Sequence, residues 1–163
     1  MQTAIIVAGG VALTLGALGG AATPLTPWYR QLRKPSWQPP DWLFGPAWSI
    51  NLAGAAAAAV LAWNAADVSA EHRDVIIVFA VNAVCFLAWS PLFFVLKRPD
   101  WALGEWVFLW ASVAAAAYVC ASLSTLAGLL MLPYLLWVSI AGLLNRAIVR
   151  LNAPFGTAAT VST

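Results

Sequence analysis

Three asparagines and a set of tryptophans, set at helical intervals inside long apolar runs, are the residues of this chain that could do chemistry. Asn82, Phe86, Trp89 and Phe93 recur at steps of four, three and four, so they share one face of a helix. Tyr134, Trp137, Ala141, Asn145 and Ile148 share another by the same rule, and Trp48, Asn51 and Ala55 a third. Asparagine facing lipid is costly, so it turns towards other helices or a cavity. Asn51 fits an interhelical hydrogen bond, worth roughly 0.6 kcal/mol. Asn82 and Asn145 fit either that role or the wall of a pocket. Facing aromatic rings bury area and stack, and a few polar groups orient what they hold. The chemistry available is recognition of a large, flat, apolar molecule.

Other chemistries find no support. His72 stands alone among charged turn residues, away from the aromatic sets. Cys85 and Cys120 fall inside apolar runs without metal-ligand or redox spacing, so neither a metal site nor a disulfide framework is expected. Glu105 lies near Lys97 and Arg98, where an interfacial ion pair is the expectation and a proton or cation relay the alternative. No pair of charges lies mid-bilayer, which argues against an ion-coupled pump. The net charge of +2 arises from few charges and gives no basis for nucleic-acid binding.

A polar-aromatic segment, 28–48, stands between the first two apolar runs. It carries Trp28, Tyr29, Trp37, Trp42 and Trp48, with Arg30, Arg33 and Lys34. Pro35, Pro39 and Pro40 remove amide donors and disfavour helix at the residues before them. The segment is therefore a compact loop with its rings held in place. It reads as an interfacial anchor or, given the rigid proline spacing, as an aromatic lid with Trp28, Tyr29 and Trp37 over a cavity between helices. A porphyrin suits such a covered cavity, as would a sterol or an aromatic drug. Arg30, Arg33 and Lys34 fit the orientation of the protein and contact with anionic headgroups, with pairing to ligand carboxylates as the sharper reading.

The elements that position these residues follow from composition. The chain is 63% hydrophobic and 9% charged, with mean hydropathy +0.84. A soluble domain carries about 25% charged residues, so the class is an integral membrane protein. Five spans are predicted, at about 3–22, 43–66, 75–96, 101–122 and 126–150, within a single domain over 1–163. The first is 20 uncharged residues, roughly 30 Å of helix, and is read as a span rather than a cleaved leader because no basic stretch precedes it. Pro46 is placed in the first turn of the second span, Pro91 should kink the third, and Pro133 interrupts the fifth. The fold class is thus all-α, a five-helix transmembrane bundle with a Pro/Trp-rich loop between helices 1 and 2. Seven of the eight basic residues fall on the loop side, and only Arg73 on the other. The positive-inside rule then places the aromatic loop and the C-terminus in the cytoplasm and the N-terminus outside.

The segment from Trp28-Tyr29 through Lys34-Pro35-Ser36-Trp37, Pro39-Pro40, Trp42 and Phe44-Gly45-Pro46 to Trp48 resembles the first loop of the TspO/MBR family of tryptophan-rich sensory and translocator proteins. Trp63, Asn82 with Trp89, Phe93 and Phe94, and Pro133-Tyr134-Leu135 with Trp137, Ala141 and Leu144-Asn145 are similar to the pattern as well. The resemblance implies a five-helix bundle, commonly a homodimer, binding porphyrins, haem-like tetrapyrroles, sterols and benzodiazepine-type compounds. No cofactor is required. Light-dependent porphyrin degradation is an implied alternative, with Trp48 and Trp137 as the catalytic candidates, and a sterol- or lipid-binding or structural scaffold is another. Two positions depart from the pattern. Leu52 stands where an aromatic Tyr is frequent, and Asn145-Arg146 lacks the tyrosine of the animal sterol motif, which puts specific sterol recognition in doubt. The small-residue faces on helices 1, 2 and 4 permit a dimer.

Overall fold

A computed structural model describes residues 2–156. The elements are α1 (Gln2–Ala21), a short α2 (Pro27–Gln31), α3 (Asp41–Ala65), α4 (Ser69–Ser90) extended by a π-helical turn (Pro91–Val95), α5 (Pro99–Leu123) and α6 (Thr125–Asn152). No strand occurs among the described residues. Five of these helical segments, α1, α3, α4 with its π-turn, α5 and α6, are long and apolar enough to cross a bilayer. The protein is an all-α, multi-pass membrane protein. Around the bundle α1 packs on α3, α3 on α6, α6 on α5 and α5 on α4, and α4 returns to α1.

Without a hydrophobic drive between helices in lipid, close backbone approach is what packs them, and small residues permit it. Ala58, Ala62, Ala116, Ala127 and Cys120 are fully buried around Met131, Tyr134 and Val138. The α5–α6 contact is the tightest. A Cβ on Gly142 would overlap the Trp106 ring, and Trp106 Nε1 donates to the Val138 carbonyl at 2.8 Å. On α1 only Gly19 is buried, so this helix is the outlying member of the bundle.

Three boundaries differ from the sequence expectation. The stretch 69–74, expected as a charged turn, forms the first turns of α4. Glu71 explains why: its carboxylate accepts from the Asp67 and Val68 amides (2.8 and 3.3 Å), satisfying donors that a helix start leaves orphaned. Helix α3 starts at Asp41, so Pro46 falls in its second turn rather than its first. Within the loop Pro27 starts a single helical turn, with the Tyr29 amide 3.5 Å from Thr26 Oγ1.

Pro91 acts by a π-turn. The Leu96 amide reaches back five residues to the Pro91 carbonyl at 2.9 Å. The wider turn allows the consecutive Phe93 and Phe94 both to be buried, at 2% and 7% exposure. With Tyr29, Ala102, Leu144 and Ile148 they form a second core at the loop end of the bundle.

Candidate functional site: an aromatic cavity under a latched loop

Beneath the loop lies a cavity of about 830 Å³, bounded by α1, α3, α4 and α6. Its hub is Trp48, whose ring meets Phe86 (5.3 Å, 78°), Tyr134 (6.1 Å, 84°) and Trp137 (6.3 Å, 90°) edge to face. Such pairs add about 0.5–1.5 kcal/mol beyond area burial and hold ring orientation. At the loop end Trp89 stacks on Phe93 (5.2 Å, 29°). Polar groups are few: Thr23, Tyr29, Asp41, Ser49, Ser90 and Asn145. Thr23 Oγ1 donates to the Gly19 carbonyl (2.7 Å) and reaches Ser90 Oγ at 3.4 Å, tying the end of α1 to α4.

The loop is latched. Tyr29 Oη donates to Asp41 Oδ1 (3.1 Å), Gln38 Nε2 donates to the same oxygen (3.2 Å), and Lys34 Nζ lies 3.7 Å from it. The Lys34 ammonium also sits 3.8 Å from the centroid of the Tyr29 ring. Burial, then the neighbouring Asp41 carboxylate, pushes the Tyr29 phenol up to about 12, so it remains a neutral donor across the physiological range. A second fastening joins the loop to the far end of the chain. Asn152 accepts from the Arg33 amide and donates to the Arg33 carbonyl, both at 2.8 Å.

Of the twelve residues singled out from the sequence, Tyr29, Trp48, Phe86, Trp89, Phe93, Ala141 and Asn145 come together on the cavity wall. Five do not. Tyr134 is completely buried behind Trp48, and Asn82 is buried beside it, donating to Ser112 Oγ (3.0 Å) and accepting from Tyr134 Oη (3.4 Å). Trp137 stands behind Trp48 and Phe44, with its Nε1 buried and without a hydrogen-bond partner among the described residues. Trp28 packs edge-on against Phe93 and faces a different pocket. Trp37 is half exposed on the outside of the loop.

The reason is depth: helical spacing assigns a face, whereas the level of the cavity floor depends on which rings meet across the bundle. Asn145 touches the cavity, but its amide is spent on α5. In the orientation that satisfies both ends, it donates to the Pro99 carbonyl (3.0 Å) and accepts from the Leu103 amide (3.1 Å). Asn51 is buried, as an inward-facing asparagine should be.

Sequence reasoning missed Asp41, Phe44 and the α1 wall. Gly19 packs closely there: a Cβ would stand 3.1 Å from the Phe86 ring, which would have to shift by a few tenths of an ångström. The available signal for Asp41 was its place as the one acid of the polar-aromatic loop. The Glu105 ion pair is not formed. Arg98 is held by Asp100 instead, in a fork of Nε (2.8 Å) and Nη2, while both Glu105 oxygens are buried without a hydrogen-bond partner among the described residues. Asp100 is two positions from Arg98, whereas Glu105 is seven positions on, about two helical turns along α5. His72 lies against Trp63 (4.3 Å), with Nδ1 3.1 Å from the Val68 carbonyl. No group of three or more His, Cys, Asp or Glu side chains is placed to hold a metal among the described residues.

Residues 5–151 match the TspO/MBR family. The chain is 38% identical over 149 residues to the tryptophan-rich protein TspO of Chlorobaculum tepidum, covering 88% of this chain and 92% of that one. It is 37% identical to protein CrtK of Rhodobacter capsulatus, covering 84% and 85%, and 31% identical to the translocator protein of Homo sapiens, covering 77% and 75%. With five spanning helices, a latched tryptophan-rich loop and these relatives, the chain belongs to the TspO/MBR family.

Proposed function

We propose that this protein is a membrane receptor or carrier that binds porphyrins and related tetrapyrroles, or other flat hydrophobic molecules, in the cavity beneath the loop. The observation that carries the reading is the cavity itself: about 830 Å³, walled by Trp48, Phe86, Trp89 and Phe93, with few polar groups. Ligand pockets for molecules of this class run from roughly 300 to 1,000 Å³, mostly apolar with a few placed polar groups. A macrocycle would lie against the indoles while its polar edge meets Tyr29 and the basic rim. The name of the human relative, a translocator protein, supports the carrier form of the proposal. The N-terminus outside, the loop inside and a homodimeric state belong to the same proposal, supported by the one-sided basic residues and the small-residue surface of α1.

Titration of the protein in nanodiscs with protoporphyrin IX tests it. Saturable one-site quenching of tryptophan emission with a shifted porphyrin absorption band is the expected result. Purely linear partitioning, equal to that of empty nanodiscs, overturns it. A light-dependent porphyrin oxidation is the second reading, favoured by the contact of two indoles, Trp48 at the wall and Trp137 behind it. Illumination of the bound complex under air distinguishes the two by the appearance of a new chromophore.

A further inference from the structure

A second pocket, of about 400 Å³, lies between α2, the 96–98 turn and the end of α6. Trp28, edge-on to Phe93, stands between this pocket and the aromatic cavity, and the two share no lining residue. We propose that it is a binding site for a phosphate group, carried either by an anionic lipid or by a small phosphate-bearing molecule in solution. It does not depend on what the aromatic cavity binds.

The two cations in its wall are presented differently from ordinary surface cations. Arg98 is immobilised. Its Nε and Nη2 fork onto Asp100, and its guanidinium lies 4.2 Å from the centroid of the Trp101 ring. Nη1 has no hydrogen bond among the described residues and faces Gly156, where a Cβ would come within 2.9 Å of it. Gly156 has φ +76°, a conformation that favours glycine, so the missing side chain both permits the tail's path and leaves Nη1 open. Lys97 is the one non-glycine residue with positive φ among those described, at 54°. Its neighbours hold it there: the Leu96 amide bonds to the Pro91 carbonyl (2.9 Å) and the Arg98 amide to the Leu92 carbonyl (3.0 Å). Such strain persists where surrounding structure imposes it, and it concentrates at functional sites. Lys97 is exposed and has no ion pair among the described residues.

A fixed planar donor beside a free ammonium is the pairing that phosphate oxygens select: a directional hydrogen bond from one and a point charge from the other. Asp100 occupies Nε and Nη2 of Arg98 and offsets much of its charge, so Nη1 remains as the donor and Lys97 supplies the charge, while Asn152 in the same wall is spent on Arg33 and Ile148. The pocket lies at the end of the bundle that carries Arg30 and Arg33, both exposed, where the local potential favours anions.

The test uses the full chain in nanodiscs of phosphatidylcholine alone or with phosphatidylglycerol, and the variant Lys97→Asn, which removes the charge while tolerating the left-handed backbone. Lipid retention is read by native mass spectrometry after transfer to detergent. Protection by inorganic pyrophosphate is read as a thermal shift in phosphatidylcholine discs. If a lipid is the ligand, wild type retains phosphatidylglycerol over phosphatidylcholine and Lys97→Asn weakens that preference by about tenfold, the scale of one charge-assisted contact. If the ligand is soluble, pyrophosphate stabilises wild type and not Lys97→Asn. Lys97→Arg should restore either response, and Arg73→Asn, at the other end of the bundle, should leave both intact. Wild type with no phosphatidylglycerol preference and no pyrophosphate shift, or a response that Lys97→Asn leaves unchanged, overturns the proposal. Far-ultraviolet circular dichroism of Lys97→Asn in the same discs checks that the bundle is folded.

Discussion

Trp48 touches three rings while also lining the cavity, so its packing and binding roles have to be separated by the substitution chosen. Phenylalanine retains a ring but removes the indole. Trp48→Phe should weaken porphyrin binding by less than about tenfold, because most stacking and area burial survive. Trp137→Phe should change affinity even less, since Trp137 stands behind the wall. If light-driven conversion occurs, both variants should lose it. Trp106 is unsuitable as a control, because its ring fills the space above Gly142 and its Nε1 holds the Val138 carbonyl. Trp42→Phe is the appropriate one, with a ring 71% exposed. Equal affinity and equal photochemistry across wild type, Trp48→Phe and Trp137→Phe would remove these residues from the site. All twelve candidate residues were found by type and spacing. Their division into seven at the wall and five away from it follows from ring-on-ring contacts between helices, to which spacing along one helix is blind.

At the scale of elements, the α5–α6 seam and the latched loop respond to different changes. Gly142→Ala must displace the Trp106 ring, and overpacking of this kind costs typically about 1–3 kcal/mol. The thermal midpoint should fall, with porphyrin affinity little changed in the protein that remains folded. The latch should govern exchange rather than affinity. Tyr29→Phe and Asp41→Ala each remove hydrogen bonds that hold the loop closed, and Asn152→Ala releases its second fastening. Stopped-flow measurement should show porphyrin dissociation faster by about threefold to tenfold in each, on the scale of about 1 kcal/mol per hydrogen bond. The sign of the pH dependence follows from Tyr29. Its phenol titrates near 10 unfolded and at about 12 folded, so its contribution is fully present below pH 10 and is lost as pH rises towards 12. Dissociation in wild type should therefore show no contribution from Tyr29 between pH 6 and 9. A steep change there that Tyr29→Phe abolishes would contradict the assignment. Pro91 was legible as a kink, but the π-turn was not, because its form depends on whether two adjacent phenylalanines both find a core to enter.

For the whole molecule, five spans put Ser69 and Thr125, both exposed, at the end opposite the loop. Cysteines introduced at these positions, in a background with Cys85 and Cys120 replaced, should react with a membrane-impermeant maleimide from outside the cell. Reaction only after permeabilisation would invert the orientation derived from the basic residues. Composition and hydropathy alone determined the membrane class and the five spans. These are properties of stretches of chain, set by the free energy of moving residues from water to lipid, and that free energy acts locally. The start of α4 depended on Glu71 reaching back to two amides, the partner of Arg98 on the sharp turn that brings Asp100 within reach, and the role of Asn145 on a turn of α5. The cavity floor, the latch joining Tyr29 to Asp41, and the clamp between Arg33 and Asn152 join residues from 12 to 119 positions apart. Tertiary structure alone decided these, because buried polar groups and ring edges choose partners by direction and distance, and the packing of five helices sets both.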